Sequence, residues 1–193
     1  MTTQLTSQKW LNLFETTYTN KLGKVCKWVF ASRRKEPVVK GKRQADAVII
    51  VPIHKDTTAH VSKVVLIKQY RPAIGGYEYE FPAGLVDGDE SYHATARREL
   101  KEETGLVMDD VRKYIPPCYS SSGMTDESVA MVFATCYGTP HTDGNEESED
   151  IEIITLERHE ISEFLDVPGR LFSIKTYLGL LLMISDDSLW WTF

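Results

Sequence analysis

Three glutamates crowd into residues 98–105 of the chain, which read RELKEETG. If this stretch ends a helix, Glu99, Glu102 and Glu103 lie near its negative C-terminal end, where carboxylates are least favourable. Like charges spaced four residues apart also repel each other. Carboxylate oxygens are the ligands that Mg²⁺ and Mn²⁺ prefer, so bound cations would remove this conflict. The alternative is an ordinary surface helix rich in glutamate and lysine.

Helical periodicity turns these glutamates towards the protein interior. At about 100° per residue, the apolar stripe of the predicted helix consists of Tyr92, Ala96 and Leu100. Glu99 and Glu103 fall on the same side, and Glu102 lies at its margin. Buried carboxylates without partners cost several kcal/mol each, which a divalent cation would offset. Such cations would also let an acidic protein attract a polyphosphate.

The flanking residues extend this stretch into a longer motif. Residues 84–106 read GLVDGDESYHATARRELKEETGL and match G-x5-E-x7-R-E-U-x-E-E-x-G-U, in which U is a bulky apolar residue. The matched positions are Gly84, Glu90, Arg98, Glu99, Leu100, Glu102, Glu103, Gly105 and Leu106. The motif resembles the Nudix box, and the chain therefore resembles the Nudix hydrolase family. The resemblance implies a loop–helix–loop that binds divalent metal and hydrolyses a nucleoside diphosphate linked to another moiety.

The family resemblance also implies roles for individual residues. The implied catalytic residues are Arg98, Glu99, Glu102, Glu103 and Glu149. Glu99 and Glu103, one helical turn apart, would hold two or three Mg²⁺ ions, or Mn²⁺ in their place, and Glu102 would share them or orient a ligating water. The carbonyl of Ala83 would be a further metal ligand. Arg98 would pair with Glu90 and fix the loop against the helix.

A general base or an additional metal ligand is implied outside the box, in the acidic loop GNEESED at residues 144–150. Comparison of the strand IEIITL with the family puts Glu149 in this position. Glu147 and Glu146 are rivals in the same run. The alternative for Glu149 is a solvated carboxylate.

Sequences on both sides of the box resemble one branch of the family, the ADP-ribose and ADP-sugar pyrophosphatases. KQYRPAIGGYEYEFPAG leads into the box and SSGMTDES follows it, while KWLNLFETTY and GKVCKWVFASRR resemble the N-terminal hairpin of eukaryotic members. Together they cover most of residues 8–156. In that branch the N-terminal strands join two subunits, and aromatic side chains from both sandwich the adenine. A homodimer through the N-terminal strands is therefore expected.

Substrate contacts carried over by position lie in both halves of the chain. Trp28 is the first candidate for stacking on adenine and Trp10 the second, because an indole offers a large flat face. The alternative for each tryptophan is a hydrophobic anchor of the hairpin. Arg33, with Arg34 as a near competitor, and Arg71 match positions that reach the nucleotide or its phosphates. The other implied substrate contacts are Leu85, Ser121 and Met124.

Two residues depart from the pattern of the branch. Val29 follows Trp28, where related members can place an acidic contact to adenine, so backbone groups would have to recognise the base edge. Ser122 replaces the proline that usually precedes the glycine of the SSGMTDES segment. The shape of this loop is therefore left open by the sequence.

Short strands and a few helices must position these residues. Residues 10–33 predict a hairpin around a turn with Asn20 and Gly23, and further strands are predicted in ADAVIIVPI, KVVLIKQY, YEYEF, SVAMVFATCYG and IEIITL. Helices are predicted over residues 89–104, with Asp89 as N-cap and Gly105 as the stop, and over residues 157–165 and 171–185.

The order of these elements predicts an α+β fold, an α/β/α sandwich of the Nudix type with mixed sheets flanked by helices. An N-terminal β-hairpin element is added to it. The expected division is an N-terminal β element over residues 1–44, for dimerisation and adenine binding, and a Nudix hydrolase domain over residues 45–193.

Composition excludes several classes of function. The 193 residues are 42% apolar, which is enough for a substantial core, and the net charge of −6 argues against general nucleic-acid binding. Cys26, Cys118 and Cys136 follow no metal or disulfide pattern and predict reduced, buried, non-catalytic thiols. No secretory signal or membrane span is evident, which predicts a cytoplasmic protein and leaves a nuclear pool open. The five histidines show no metal-ligand spacing.

The sequence therefore predicts a Mg²⁺-dependent hydrolase that converts ADP-ribose and related ADP-sugars to AMP and a sugar phosphate. One alternative is a sanitising hydrolase of oxidised nucleoside diphosphates or of another dinucleotide. Another is a non-catalytic module that senses ADP-ribose, although the box keeps all its glutamates. The physiological substrate, the number of metals, the phosphorus attacked, any signalling role and the role of the C-terminal helices stay open.

Overall fold

The computed structural model describes residues 1–37, 44–56, 60–145, 149–186 and 190. The chain forms two compact units, which are Met1–Asp46 with Pro116–Ala130, and Ala47–Ile115 with Met131–Phe193. The segment 116–130 thus belongs with the N-terminal residues, which no sequence pattern indicates. The predicted division between residues 44 and 45 stays a prediction.

The first unit contains an antiparallel sheet with the order β1–β2–β3, made of Thr2–Gln4, Asn12–Thr19 and Val25–Ser32. The side chain of Asn20 accepts hydrogen bonds from the backbone N–H groups of Leu22 and Lys24, which closes the turn between β2 and β3. Phe14 and Phe30 lie opposite each other on these strands, buried and stacked with ring centroids 5.9 Å apart. The predicted hairpin over residues 10–33 is confirmed.

The second segment of this unit packs along the hairpin. The N–H of Ala31 on β3 donates to the carbonyl of Met124 at 2.8 Å, and Ala31 forms a parallel bridge with Thr125. The carboxylate of Asp46 accepts hydrogen bonds from both the backbone and the hydroxyl of Ser128. These bonds tie residues that lie far apart in sequence into one unit.

The remaining elements follow in chain order. They are β4 Ala47–Asp56, β5 Val61–Arg71, β6 Gly76–Glu80, β7 Ala83–Leu85, α1 Tyr92–Thr104, β8 Val107–Tyr119, β9 Ser128–Tyr137, β10 Ile151–Leu156, a 3-10 turn Arg158–Glu160, α2 Ile161–Asp166, β11 Leu171–Phe172 and α3 Ile174–Ser185. The described strands form a mixed sheet with the path β11–β6–β5–β4–β9–β8, in which β10 pairs with β5 and β7 pairs with β4. The predicted α+β fold with a mixed sheet and a few helices is confirmed.

Helix α1 packs its apolar stripe into the core of the second unit. Ala96 and Leu100 are fully buried, and Tyr92 packs against the same core from its edge. The other buried members of this cluster are Val48, Ile50, Val65, Leu106, Met108, Val132, Ala134 and Cys136. Strands β4, β5 and β9 contain consecutive buried residues, as expected where both faces of a sheet are covered.

The ends of α1 are fixed by two different residues. Gly105 ends the helix as predicted, with φ of 70° and its N–H bonded to the carbonyl of Lys101. The predicted N-cap Asp89 is wrong, because the hydroxyl of Ser91 accepts the N–H of Ala94 instead. Aspartate and serine can both cap a helix. Because α1 begins at Tyr92, Ser91, which immediately precedes it, is the N-cap.

The cysteines differ from one another in exposure. Cys136 is buried, and burial raises the pKa of its thiol to about 12. Cys118 is exposed and Cys26 is half-buried, so the prediction that all three are buried is wrong for these two. All three are free thiols. None of the described helices combines the length and apolar character that a membrane crossing requires.

Candidate active site

Glu103 is a buried carboxyl group at the C-terminal end of α1. Only 3% of its surface is exposed, and its Oε2 accepts the backbone N–H of Ala83 at 3.1 Å. Burial, and then the negative charge of Glu99, raise the pKa of Glu103 well above its ordinary value. The predicted inward position of Glu103 is therefore confirmed, and the site favours a proton or a cation at this carboxyl group.

Glu99 occupies space that Gly84 leaves open. Gly84 lies on β7 opposite Val48 of β4, and a Cβ added at Gly84 would overlap the carboxyl group of Glu99. Glycine is required here for close approach, not for an unusual backbone angle. Burial raises the pKa of Glu99, and the adjacent Arg98 opposes this shift.

Arg98 is the centre of an ion-pair network on the outer side of α1. Its guanidinium contacts Glu90 at 3.2 Å, Glu99 at 2.7 Å and Glu102 at 3.1 Å, and also donates to the carbonyl of Leu85 at 3.1 Å. The hydrogen bond from Arg98 lowers the pKa of Glu90, and a hydroxyl donor, Thr95, adds to this effect. The predicted pair between Arg98 and Glu90 is present.

Glu149, half-buried just before β10, lies close enough to act on the box electrostatically. Its negative charge is among the causes that raise the pKa of Glu99 and of Glu103, after burial in both cases. The rivals Glu146 and Glu147 lie outside the described residues. The role of Glu149 as base or metal ligand stays a prediction.

The donor set suits hard cations, although it is not preassembled. Carboxylate oxygens of Glu99 and Glu103 and the carbonyl of Ala83 are the ligand types that Mg²⁺ and Mn²⁺ accept. Within the described ranges, no three acidic, histidine or cysteine side chains already converge in an arrangement that could hold a metal ion. The carboxylates of Glu99 and Glu102 are instead drawn to Arg98. Arg98 would therefore compete with a cation for the carboxylate oxygens of Glu99.

Arg71 lies at the end of β5, near the same carboxylates. It forms two hydrogen bonds with the carboxylate of Glu80, from Nε at 2.6 Å and from Nη2 at 3.0 Å. Burial acts to lower the pKa of Arg71, but the hydrogen bond and the charge of Glu80, together with the charge of Glu103, raise this pKa above its ordinary value. Glu80 thus fixes the position of the Arg71 guanidinium, and Nη1 takes no part in these two hydrogen bonds.

Gln69 is a residue of this region that the sequence patterns did not indicate as part of a site. It lies two residues before Arg71 on β5, so both side chains point to the same face of the sheet. Gln69 is buried, and its Oε1 has no hydrogen-bond partner in the part of the chain that the structure describes. A buried amide oxygen without a partner is costly and therefore marks a place where a donor can bind.

The aromatic candidates lie in the first unit. Trp28 lines a pocket of about 260 Å³, together with Thr16, Phe30, Tyr119, Ser122, Thr125 and Asp126. Trp28 is 48% exposed and Trp10 is 66% exposed, so neither is buried as a hydrophobic anchor within the chain. The ammonium group of Lys9 lies 4.2 Å from the ring centre of Trp10. An open indole face at a pocket can accept a flat base.

The two neighbouring arginines have different environments. Arg34 pairs with Asp46 at 2.7 Å and donates a hydrogen bond to the carbonyl of Gln44. These contacts favour a structural role for Arg34. Arg33 is more exposed and has a longer contact of 3.4 Å with Glu127. Arg33 is therefore the better candidate for a ligand.

The loop residues predicted to contact substrate are exposed on their respective units. The carbonyl of Ser121 accepts the N–H of Met124 at 2.9 Å, which forms a turn without the proline expected at position 122. Met124 is 72% exposed in the first unit, and Leu85 is 39% exposed in the second. Their roles in binding stay predictions.

The fold and the box together define an α+β protein with a mixed sheet and a helix-borne carboxylate cluster suited to divalent metal. The chain belongs to the NUDIX domain family, whose model matches residues 43–176. It is 34% identical to the ADP-sugar pyrophosphatase of Mus musculus over 168 residues, which cover 83% of this chain and 73% of that protein.

A second relative and a solved structure are also similar to this chain. The chain is 32% identical to the ADP-ribose pyrophosphatase of Saccharomyces cerevisiae over 64% of this chain and 52% of that protein. A solved structure described as an ADP compounds hydrolase superposes with a TM-score of 0.72, covering 96% of this chain and 90% of that one. At 20% identity, this structural likeness supports the fold alone.

Proposed function

We propose that this Nudix hydrolase cleaves the pyrophosphate bond of ADP-ribose and related ADP-sugars in the presence of Mg²⁺, giving AMP and a sugar phosphate. The observation that carries the proposal is the buried carboxyl group of Glu103, with Glu99 beside it and the charge of Glu149 acting on both. The names of two relatives, an ADP-sugar pyrophosphatase and an ADP-ribose pyrophosphatase, support the choice of substrate.

The acidic residues would bind metal and handle protons. Glu99, Glu103 and the carbonyl of Ala83 would hold two or three Mg²⁺ ions, with Mn²⁺ as a substitute. These ions, when bound, supply charge neutralisation at the phosphates and a more acidic water. Glu149 would accept a proton from the attacking water. Glu102 would orient a ligating water, and Arg98 would hold the box in shape.

The substrate would be bound by cationic, amide and aromatic groups. Arg71, held by Glu80, would face the diphosphate, and the free amide oxygen of Gln69 would accept a hydrogen bond from a sugar hydroxyl. Trp28 would stack on the adenine, with Trp10 as a second aromatic surface and Arg33 near the nucleotide. Leu85, Ser121 and Met124 would complete the contacts.

We also propose that the protein is a homodimer that associates through its N-terminal strands. Apolar side chains of this region are exposed in the single chain, among them Leu13 at 43%, Val25 at 65% and Val29 at 50%. Such side chains on a sheet favour association with a second copy. Light scattering after size exclusion should give twice the chain mass, and a monomer at micromolar concentration would contradict it. A cytoplasmic location, with a nuclear pool, is proposed with this function.

A substrate panel tests the enzymatic proposal. The purified protein with MgCl₂ is assayed in parallel on ADP-ribose, ADP-glucose, a diadenosine polyphosphate and 8-oxo-dGDP, with products separated by ion-exchange chromatography. We expect the highest kcat/KM for ADP-ribose or ADP-glucose, with AMP as a product, and no turnover in EDTA. A preference for 8-oxo-dGDP would instead identify a sanitising hydrolase. Binding of ADP-ribose without hydrolysis would identify a sensing module.

A further inference from the structure

Asp150, the residue before β10, lies in a row with Tyr70 on β5 and Tyr77 on β6. Strand β10 pairs with β5 so that Ile151 is opposite Gln69, and the N–H of Tyr70 donates to the carbonyl of Asp150 at 3.3 Å. On the other edge of β5, β6 places Tyr77 opposite Tyr70. Side chains in such a row lie on one face of a sheet and can contact each other.

The side chain of Tyr77 spans this row. Its hydroxyl donates a hydrogen bond to the carboxylate of Asp150. The rings of Tyr77 and Tyr70 meet edge to face with centroids 5.5 Å apart, and the ammonium group of Lys68 lies 5.1 Å from the centre of the Tyr77 ring. The ring is therefore fixed from two sides, so its hydroxyl is held at the point where the acidic loop enters β10.

The hydrogen bond at Asp150 also bears on Glu149, the residue before it. Adjacent residues of an extended chain point to opposite faces, so holding Asp150 on one face turns Glu149 to the other. The carboxylates of Glu99 and Glu103 lie near Glu149, because its charge acts on both. Like charges repel, so a hydrogen bond that holds Asp150 opposes a movement of Glu149 away from the cluster.

We propose that Tyr77 is a positioning residue, which holds the side chain of Asp150 and thereby keeps Glu149 directed at the carboxylate cluster of the box. This inference rests on the proposed function and deepens it, because it assigns the orientation of Glu149 to a hydrogen bond on the opposite face of the sheet. No sequence motif indicates this link.

Conservative variants test the hydrogen bond. Tyr77→Phe removes only the hydroxyl and keeps the ring contacts, while Asp150→Ala removes the acceptor. We expect each to lower kcat for ADP-ribose by about 10-fold, the usual effect of losing a supporting hydrogen bond, with KM changed less than about 2-fold. Asp150→Asn keeps an oxygen acceptor and should retain near wild-type kcat. Tyr70→Phe, which removes the hydroxyl of the neighbouring ring, is the matched control and should also retain near wild-type kcat.

Double variants distinguish positioning from a general structural effect. If Tyr77 acts through Asp150 and Glu149, Tyr77→Phe should lower kcat no further in the Asp150→Ala or the Glu149→Gln background. Equal losses in wild type and in Glu149→Gln would overturn the proposal, as would full activity of Tyr77→Phe. An Asp150→Asn variant as impaired as Asp150→Ala would do the same, because charge rather than the hydrogen bond would then matter.

A measurement without turnover separates this inference from the proposed function. Amide hydrogen exchange over residues 149–156 should be faster in Tyr77→Phe than in wild type, and unchanged in Tyr70→Phe. Unchanged exchange in Tyr77→Phe would overturn the positioning role even if ADP-ribose is hydrolysed. Conversely, faster exchange in a protein that does not hydrolyse ADP-ribose would support the anchor while the proposed function fails.

Discussion

Replacing Gly84 with alanine should remove most of the activity and leave the fold intact. The φ angle of Gly84 lies outside the left-handed region, so alanine fits the backbone, but its Cβ would overlap the carboxyl group of Glu99. To regain an ordinary contact of ~3.5 Å, this group has to move by more than ~1 Å. A displacement of ~1 Å in a catalytic group costs about 100-fold in rate. We therefore expect kcat for ADP-ribose to fall by about this factor.

The stability of the Gly84→Ala variant should change little. Replacing glycine by alanine where the backbone allows it stabilises the folded protein by about 0.4–1 kcal/mol, because it lowers the conformational entropy of the unfolded chain. Weakening the partly exposed contact between Arg98 and Glu99 costs a similar amount, ~0.2–1 kcal/mol. The free energy of unfolding in urea, followed by tryptophan fluorescence, should therefore stay within about 1 kcal/mol of wild type.

A double variant shows whether Gly84 acts through Glu99. In a Glu99→Ala background the overlap disappears, so adding Gly84→Ala should not reduce kcat further. Steady-state release of AMP is measured for the four proteins at equal Mg²⁺ concentration. A wild-type kcat in Gly84→Ala would contradict a role for the close approach of Gly84 to Glu99. So would a double variant in which the kcat losses of the two single variants multiply.

Three further predictions concern stability, metal and base recognition. Gly105→Ala should destabilise by about 1 kcal/mol or more, measured in urea, because φ is 70° and the added Cβ would overlap the ring of His141. The raised pKa of Glu103 means that its carboxyl group destabilises the fold increasingly as pH rises above the ordinary 4.5 towards the folded-state value. In EDTA, Glu103→Gln should therefore have a higher melting temperature than wild type at pH 7 but not at pH 4. Mg²⁺ should raise the melting temperature of wild type but not that of Glu103→Gln. A lower melting temperature for Glu103→Gln than for wild type in EDTA at pH 7 would contradict this. Trp28→Ala should raise KM for ADP-ribose about 10-fold or more through lost stacking, with a smaller effect on kcat, and an unchanged KM would remove Trp28 from the adenine site.

Local patterns predicted the elements on which the site is built. The hairpin follows from turn chemistry at Asn20 between two apolar runs, and α1 follows from the periodic stripe that ends at Gly105. These features depend on neighbours within a few residues, which is the range that sequence patterns describe. For the same reason the inward position of Glu103 could be predicted.

Elements that depend on distant partners could not be predicted in the same way. Strand β8 carries two consecutive prolines, Pro116 and Pro117, which argue against a strand in sequence. Strand β11 has only two residues and pairs in parallel with β6. The exposure of Cys118 likewise depends on where β8 runs, not on the residue type.

Contacts across the sheet explain why parts of the site were also missed. Gln69 lies in the segment KQYRPAIGGYEYEFPAG, but only its place on β5 shows that it shares a face with Arg71. The contact between Tyr77 and Asp150 joins residues that lie 73 positions apart in sequence. A motif records which residues are required near one another in the chain, whereas these residues are brought together by strand pairing.

The crowding of glutamates at the end of α1 is resolved by two separate means. Glu99 and Glu102 share the guanidinium of Arg98, while Glu103 is buried against the N–H of Ala83 with a raised pKa. A cation that binds here therefore competes with Arg98 for Glu99 and with a proton for Glu103. We expect its affinity to rise with pH, because the raised pKa of Glu103 widens the pH range in which a proton competes with the cation. The same arrangement that lets the chain fold with these carboxylates also sets the pH at which they can bind metal.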